Sequence, residues 1–293
     1  MKKAILLCCV GVVACSRPQQ PTVQPDLHYV VGPAWKVGAA WMYPREDFSY
    51  QAMGLAVRQE DSAQPLTTDG EVRNPLSMTG SHPTLQLPAV VTVINLENGR
   101  EITIRVNDRG PAEAGRVLGL SRKAADLLGM GAGPARVRVM ENEMASRQLA
   151  EVLPGGPMLQ INTAPLESVK QTDLGAAAPA SHSAGAPAPT VPQTAPANQN
   201  TAQAVTQLPQ LPVEWRQGQP VFTQLWVETA DFTARGAAAR LAAREGGSVW
   251  PSFTPQGKMW AVRQGPFTTI SDADAALKRA LADGLTGSHI VVE

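Results

Sequence analysis

Between Gly175 and Gln203 the chain reads GAAAPASHSAGAPAPTVPQTAPANQNTAQ. Alanine and proline dominate, and large apolar side chains are almost missing. Such a segment cannot bury enough apolar surface to offset the entropy of ordering its backbone. Whatever folds on either side must fold separately. The wider stretch over 146–220 reads as a disordered linker. It divides the 293 residues into a domain over 29–145 and a smaller one over 221–293. A formal net charge of +0 gives no footprint for nucleic acid or anionic lipid.

The N-terminus carries a processing signal. MKK is a short basic region and AILLCCVGVVA a short apolar one, too short to span a bilayer. Residues 1–14 read as a signal peptide. Val12-Val13-Ala14-Cys15 resembles a bacterial lipobox, which makes Cys15 the expected lipidated N-terminus. Cys8 and Cys9 leave with the signal, so the mature chain has no partner for a disulfide. Residues 15–28 are then a polar tether to a membrane, and Ser16 suits transfer to the outer membrane.

The first domain reads as mostly β. VVTVINL (90–96) and EITIRVN (101–107) are rich in β-branched residues and flank an Asn98-Gly99 turn, a strong hairpin signal. In the second run Ile102, Ile104 and Val106 alternate with Thr103, Arg105 and Asn107, which predicts one buried and one wet face. Asp108 follows where the strand is expected to open into a turn at Gly110. Ser121 is a helix N-cap ahead of SRKAADLLGM, and ARVRVME (135–141) a closing strand. Strands with one short helix predict a small closed barrel.

TTDGE (67–71), His82, TLQLP (84–88), VTVINLENGREITIRVNDRGP (91–111) and LSRKAADLLGM (120–130) resemble the rare lipoprotein A family of septal-ring lipoproteins. The resemblance implies a double-psi β-barrel and lytic transglycosylation. That reaction cuts the MurNAc–GlcNAc bond of peptidoglycan and leaves a 1,6-anhydro end, with the sugar's own 6-hydroxyl as nucleophile. One carboxyl can then act first as acid and afterwards as base, without the second carboxylate of ordinary glycoside hydrolysis. The implied catalytic residues are Asp108, Glu71 and His82. Asn74, Asn107, Arg109 and Gly110 are the implied substrate-binding residues. No cofactor and no metal are implied.

Departures from the family pattern keep a second reading open. Asn74 stands where the family has Asp, and an amide cannot pass on a proton. AVRQE (56–60) replaces an aromatic stretch, and Gly119 replaces another Asp. A non-catalytic septal peptidoglycan-binding lipoprotein is the alternative.

The last 73 residues alternate strand and helix patterns: TQLWVETA, a helix over 231–247 with Asp231 as candidate cap, SVWPSF, KMWAVRQGPF, a helix over 270–284, and SHIVVE. This is a split βαβ, ferredoxin-like order. With Gly265-Pro266-Phe267 ahead of the second helix, it resembles the SPOR domain, which implies binding of glycan strands lacking stem peptides. Gln224, Trp226 and Arg263 are the expected glycan-binding residues, while the parity of Trp260 with Val262 places Trp260 in the core. The expected partners are such glycan strands, the membrane through the lipid, and septal-ring proteins.

Overall fold

The computed structural model describes residues 23–60, 62–157, 207–254 and 257–293. The signal segment, Cys15 and the Pro/Ala-rich part of the linker over 158–206 lie outside the described residues.

A small antiparallel hairpin of β1 (Trp35–Val37) and β2 (Ala40–Met42) comes first. Six strands then close a mixed barrel: β3 (Gln51–Arg58), β4 (Thr79–His82), β5 (Ala89–Asn95), β6 (Arg100–Arg109), β7 (Arg116–Leu120) and β8 (Ala135–Glu141). The order round the barrel is β4-β7-β3-β8-β5-β6, and β6 pairs back onto β4. The β3–β7 and β4–β6 pairs are parallel and the others antiparallel. Closure leaves no free edge among these six strands.

The expected hairpin is the β5–β6 pair, with Val93 opposite Ile102 and Gly99 at φ +76° in its turn. Ile102, Ile104 and Val106 enter the barrel core with Val91, Val93, Leu118, Leu120, Val137 and Val139. α1 (Arg122–Leu127) begins at Ser121, whose hydroxyl accepts the Ala124 N–H at 3.2 Å. One expectation changes: β6 continues through Asn107, Asp108 and Arg109, so Asp108 sits within paired strand and the chain turns only at Gly110.

The linker is also narrower than 146–220. α2 (Glu143–Val152), capped by the Asn142 side chain, packs Ala150 against Leu27 and Tyr29. On the far side Leu208 is buried in the same cluster, and β9 (Arg216–Gln217) pairs with β6 at Arg100 and Glu101. Apolar side chains within the polar flanks, Leu149, Leu153 and Leu208 among them, anchor these pieces.

The C-terminal domain runs β10 (Leu225–Phe232), α3 (Arg235–Glu245), β11 (Ser248–Thr254), β12 (Gly257–Phe267), α4 (Ile270–Ala282) and β13 (His289–Val292). Its antiparallel sheet has the order β11-β12-β10-β13, as a ferredoxin-like fold requires. Gly246 ends α3 at φ +70°, but Asp231, expected as the cap of α3, does not cap it. It lies in β10, paired with Ala261.

The two domains dock. Leu55 and Leu96 of the barrel join Leu225, Val227, Leu277 and Ile290 in one apolar cluster. A Cβ at Gly115 would come within 2.5 Å of Leu277 Cδ2. Beside it Arg116, 6 % exposed, holds Asp274 through both terminal nitrogens at 2.7 and 2.8 Å. Among the described residues no helix is long and apolar enough to cross a membrane.

Candidate active site

A groove of three adjoining cavities crosses the barrel. The largest, about 530 Å³, is lined by Ser81, Asp108 and Gly110. It shares Gln59, Glu60, Ser62 and Arg73 with a cavity of about 310 Å³ that reaches Thr67, Asn74, Thr79 and Asn107. Asn74 leads on into a third of about 370 Å³, lined by Glu71, Val72, Arg105 and Leu208.

Asp108 is held by four donors. Its Oδ1 accepts from Thr68 N–H at 3.1 Å, the Thr68 hydroxyl at 2.7 Å and Arg109 N–H at 3.0 Å. Arg73 Nη1 lies 2.7 Å from its Oδ2. Glu71 has fewer partners: Arg105 Nη2 at 2.5 Å on Oε1, and the Asn107 side-chain amide on Oε2. Both residues are 9 % exposed and line the groove. Asp69, bonded to the Glu71 N–H, is fully enclosed. Burial and the neighbouring Glu71 charge push its carboxyl up to about 7.

Asn74 is exposed at the junction of two cavities, with its Oδ1 accepting the Leu76 N–H at 2.9 Å. Gly110 adopts φ +141°, and a Cβ there would press on Ser81 Oγ at 3.0 Å. Gly119 leaves no room either, since its Cβ would stand 2.4 Å from the same atom.

Two expected residues are not where the sequence suggested. His82 is 0 % exposed and faces the interior, because successive side chains of β4 alternate and Ser81 takes the groove side. Its Nδ1 accepts the N–H groups of Thr84 and Leu85 at 3.1 and 3.0 Å, and the Tyr50 ring meets it edge-on at 4.7 Å. Burial, helped by the Arg109 charge, pushes the imidazole down to about 3, so it is neutral and cannot take up a proton from the groove. Arg109 borders the large cavity, but its guanidinium turns away to the backbone carbonyls of Val31, His82 and Leu85. It clamps the entry segment to the β4–β5 loop instead of reaching a sugar.

Arg73 and Arg105, not anticipated as site residues, supply the cations. Arg105 had a signal: it shares the wet parity of β6 with Asn107. Among the described residues no group of three His, Cys, Asp or Glu side chains is placed to hold a metal ion.

On the C-terminal sheet, Trp226 meets Trp250 edge-on at 5.4 Å, and the Arg263 guanidinium lies 5.9 Å from the Trp250 ring. Arg263 is also paired with Glu228 at 2.8 Å and Glu293 at 2.7 Å. These side chains share the sheet face opposite the helices. Gln224 is exposed at its edge, where its backbone pairs with Glu293. Trp260, expected in the core, is half-buried: it packs against Ala238 and Leu241 of α3 while Arg235 and Lys258 lie over its ring.

Residues 44–139 match the family model described as lytic transglycolase, and residues 233–292 match the SPOR domain. The chain is similar to an endolytic peptidoglycan transglycosylase RlpA of Yersinia pestis, 35% identical over 142 residues, 48% of this chain and 35% of the relative. It is 36% identical over 129 residues to the protein of that name from Pseudomonas aeruginosa PAO1, covering 43% of this chain and 36% of the relative. With that of Escherichia coli K12 it shares 39% over 92 residues, 31% of this chain and 25% of the relative. The chain thus spans between a quarter and little more than a third of the length of these relatives. It carries an RlpA-like double-psi barrel and a SPOR domain.

Proposed function

From a chain that joins a barrel of the lytic transglycolase type to a SPOR domain, we propose a lytic transglycosylase that cleaves MurNAc–GlcNAc bonds in glycan strands lacking stem peptides. The observation that carries this is the pair Glu71 and Asp108. Each faces one continuous groove, and each is held by its own arginine.

The two carboxyls divide the work. Four donors hold the Asp108 carboxyl in place, suited to face the positive charge that develops at the anomeric carbon. Glu71 has only two partners and is the acid/base. Protonated Glu71 gives its proton to the glycosidic oxygen as the C1–O4 bond breaks. The 6-hydroxyl of the same MurNAc then closes on C1, and its proton returns to Glu71. Asn107, which ties Glu71 to β6, and Asn74 offer amides to sugar hydroxyls and acetamides.

The SPOR face, with Trp226, Trp250 and Arg263, holds the same polymer and raises the local concentration of substrate at the barrel. With Cys15 lipidated, the protein works from the outer membrane into the periplasm at the division septum. Asn74 supports the second reading, a glycan-binding protein without catalysis. Mass spectrometry of denuded peptidoglycan after incubation with the full chain separates the two: anhydro-ended fragments support the enzyme, and intact bound strands the binder.

A further inference from the structure

Asp69 takes no part in the reaction just described, yet it stands at its centre. Its side chain is 0 % exposed. Oδ1 accepts the Thr67 hydroxyl at 2.7 Å and the Glu71 N–H at 3.2 Å. Its own N–H donates to the carbonyl of Asn107 at 3.2 Å, the residue whose amide holds Glu71. Asp69 therefore fixes both the main chain of Glu71 and the strand position that grips the Glu71 carboxyl.

The second oxygen tells more. Asp69 Oδ2 is buried without a hydrogen-bond partner. A carboxylate oxygen shut away from water with no donor is costly when charged. The charged groups around it do not relieve this. Arg105, from β6, is directed at Glu71 and at the Pro209 carbonyl. Asp108 is tied to Thr68 and Arg73. The Asp26–His28 segment, packed on the other side, contributes only N–H groups to the carbonyls of Gly70 and Asp69, and the His28 ring turns to the Asp26 carbonyl. One guanidinium thus serves two neighbouring carboxyls and bonds to only one.

We propose that Asp69 is a positioning residue for Glu71, and that its enclosed carboxyl is neutral in the working site and places a second charge beside Glu71 only when it ionises. The proposal rests on Glu71 being the acid/base. It places a second carboxyl beside Glu71 on the buried side, at 69, where Asn74 on the groove side provides none. Burial and the Glu71 charge, which hold the Asp69 carboxyl up to about 7, agree with this. Below that pH Asp69 is uncharged and its partnerless oxygen is tolerated. Above it Asp69 becomes a buried charge without a donor, and the segment that positions Glu71 is destabilised.

The test compares the full chain with Asp69→Asn, which keeps the Oδ1 acceptor and removes the charge. Release of anhydro ends by the wild type should fall above about pH 7. In Asp69→Asn the limb near pH 7 should be lost, since an amide at this position cannot ionise. A purely structural role would lower the rate at all pH values and leave the limb in place, and that result overturns the proposal. A second arm needs no activity: NMR titration of ¹³C-labelled Asp and Glu carboxyl carbons. The wild type should show an Asp carboxyl step near pH 7, absent from Asp69→Asn. If this step is present while the wild type cleaves nothing, the neutral Asp69 stands and the enzymatic reading falls. If the folded wild type lacks the step, the proposal is refuted whatever the activity.

Discussion

Arg73 closes an ion pair of 2.7 Å with Asp108 across the mouth of the groove, linking the loop that carries Glu71 to the end of β6. The pair fixes the Asp108 side chain at the place where the barrel opens. Arg73→Ala should leave that side chain mobile and lower cleavage by roughly ten- to a hundredfold, the value of about one charge-assisted hydrogen bond. Steady-state rates on denuded glycan check this. Asp108→Asn should cost about 10²–10³-fold and leave the pH profile in place, because Asp108 supplies charge and no proton.

His82 predicts a stability effect. Its folded value, about 3, lies below the ordinary value of 6.5, so the unfolded chain binds more protons between them. Stability from this residue is fully present above pH 6.5 and is lost as pH falls toward 3. Asp69 acts in the opposite sense, since its raised value makes the folded state less stable as pH climbs from about 4 to about 7. The difference between wild type and His82→Gln isolates the histidine. In urea melts the wild type should lose a few kcal/mol more than the variant between pH 7 and pH 4. Equal losses would mean that His82 reaches solvent.

The docking of the two domains predicts a coupling. Arg116 is nearly enclosed while Asp274 keeps a third of its side chain exposed, so the pair is worth about 1 kcal/mol. A double-mutant cycle with Arg116→Met and Asp274→Asn should show that coupling, read by hydrogen exchange at β13. Full additivity would mean that the domains do not hold this contact in solution.

The barrel was legible in the sequence because apolar and polar residues alternate along β6 and β8. Ile102, Ile104 and Val106 read as core, and are. The same rule placed Arg105 with Asn107 on a wet face; both are instead buried, each 5 % exposed, because they turn to Glu71. His82 was misread because its parity depends on the neighbouring Ser81 facing the groove, and no repeat surrounds it to fix the phase. The turn of Arg109 toward Val31, His82 and Leu85 depends on carbonyls from two distant segments converging. The approach of Gly115 to Leu277 joins residues far apart in the chain, which local pattern cannot show. The linker was drawn too wide because single leucines such as Leu208 carry little periodic signal.

On the C-terminal sheet Trp250 should matter as much as Trp226, since the two rings form one edge-on pair. Trp250→Ala should weaken binding to denuded glycan about tenfold, or about 1.4 kcal/mol. Trp260→Ala should instead lower stability, because that ring packs on α3. Sedimentation with purified glycan strands and thermal melts distinguish the two effects.

The division of labour between Glu71 and Asp108 is the centre of the account, and one measurement addresses it directly. Denuded peptidoglycan is incubated with wild type and with Glu71→Gln, and the fragment ends are identified by mass spectrometry. The wild type should release 1,6-anhydro ends, and folded Glu71→Gln should lose about 10²–10⁴-fold of that release. Reducing ends without the anhydro bridge, or a Glu71→Gln protein that cleaves within tenfold of wild type, would contradict it.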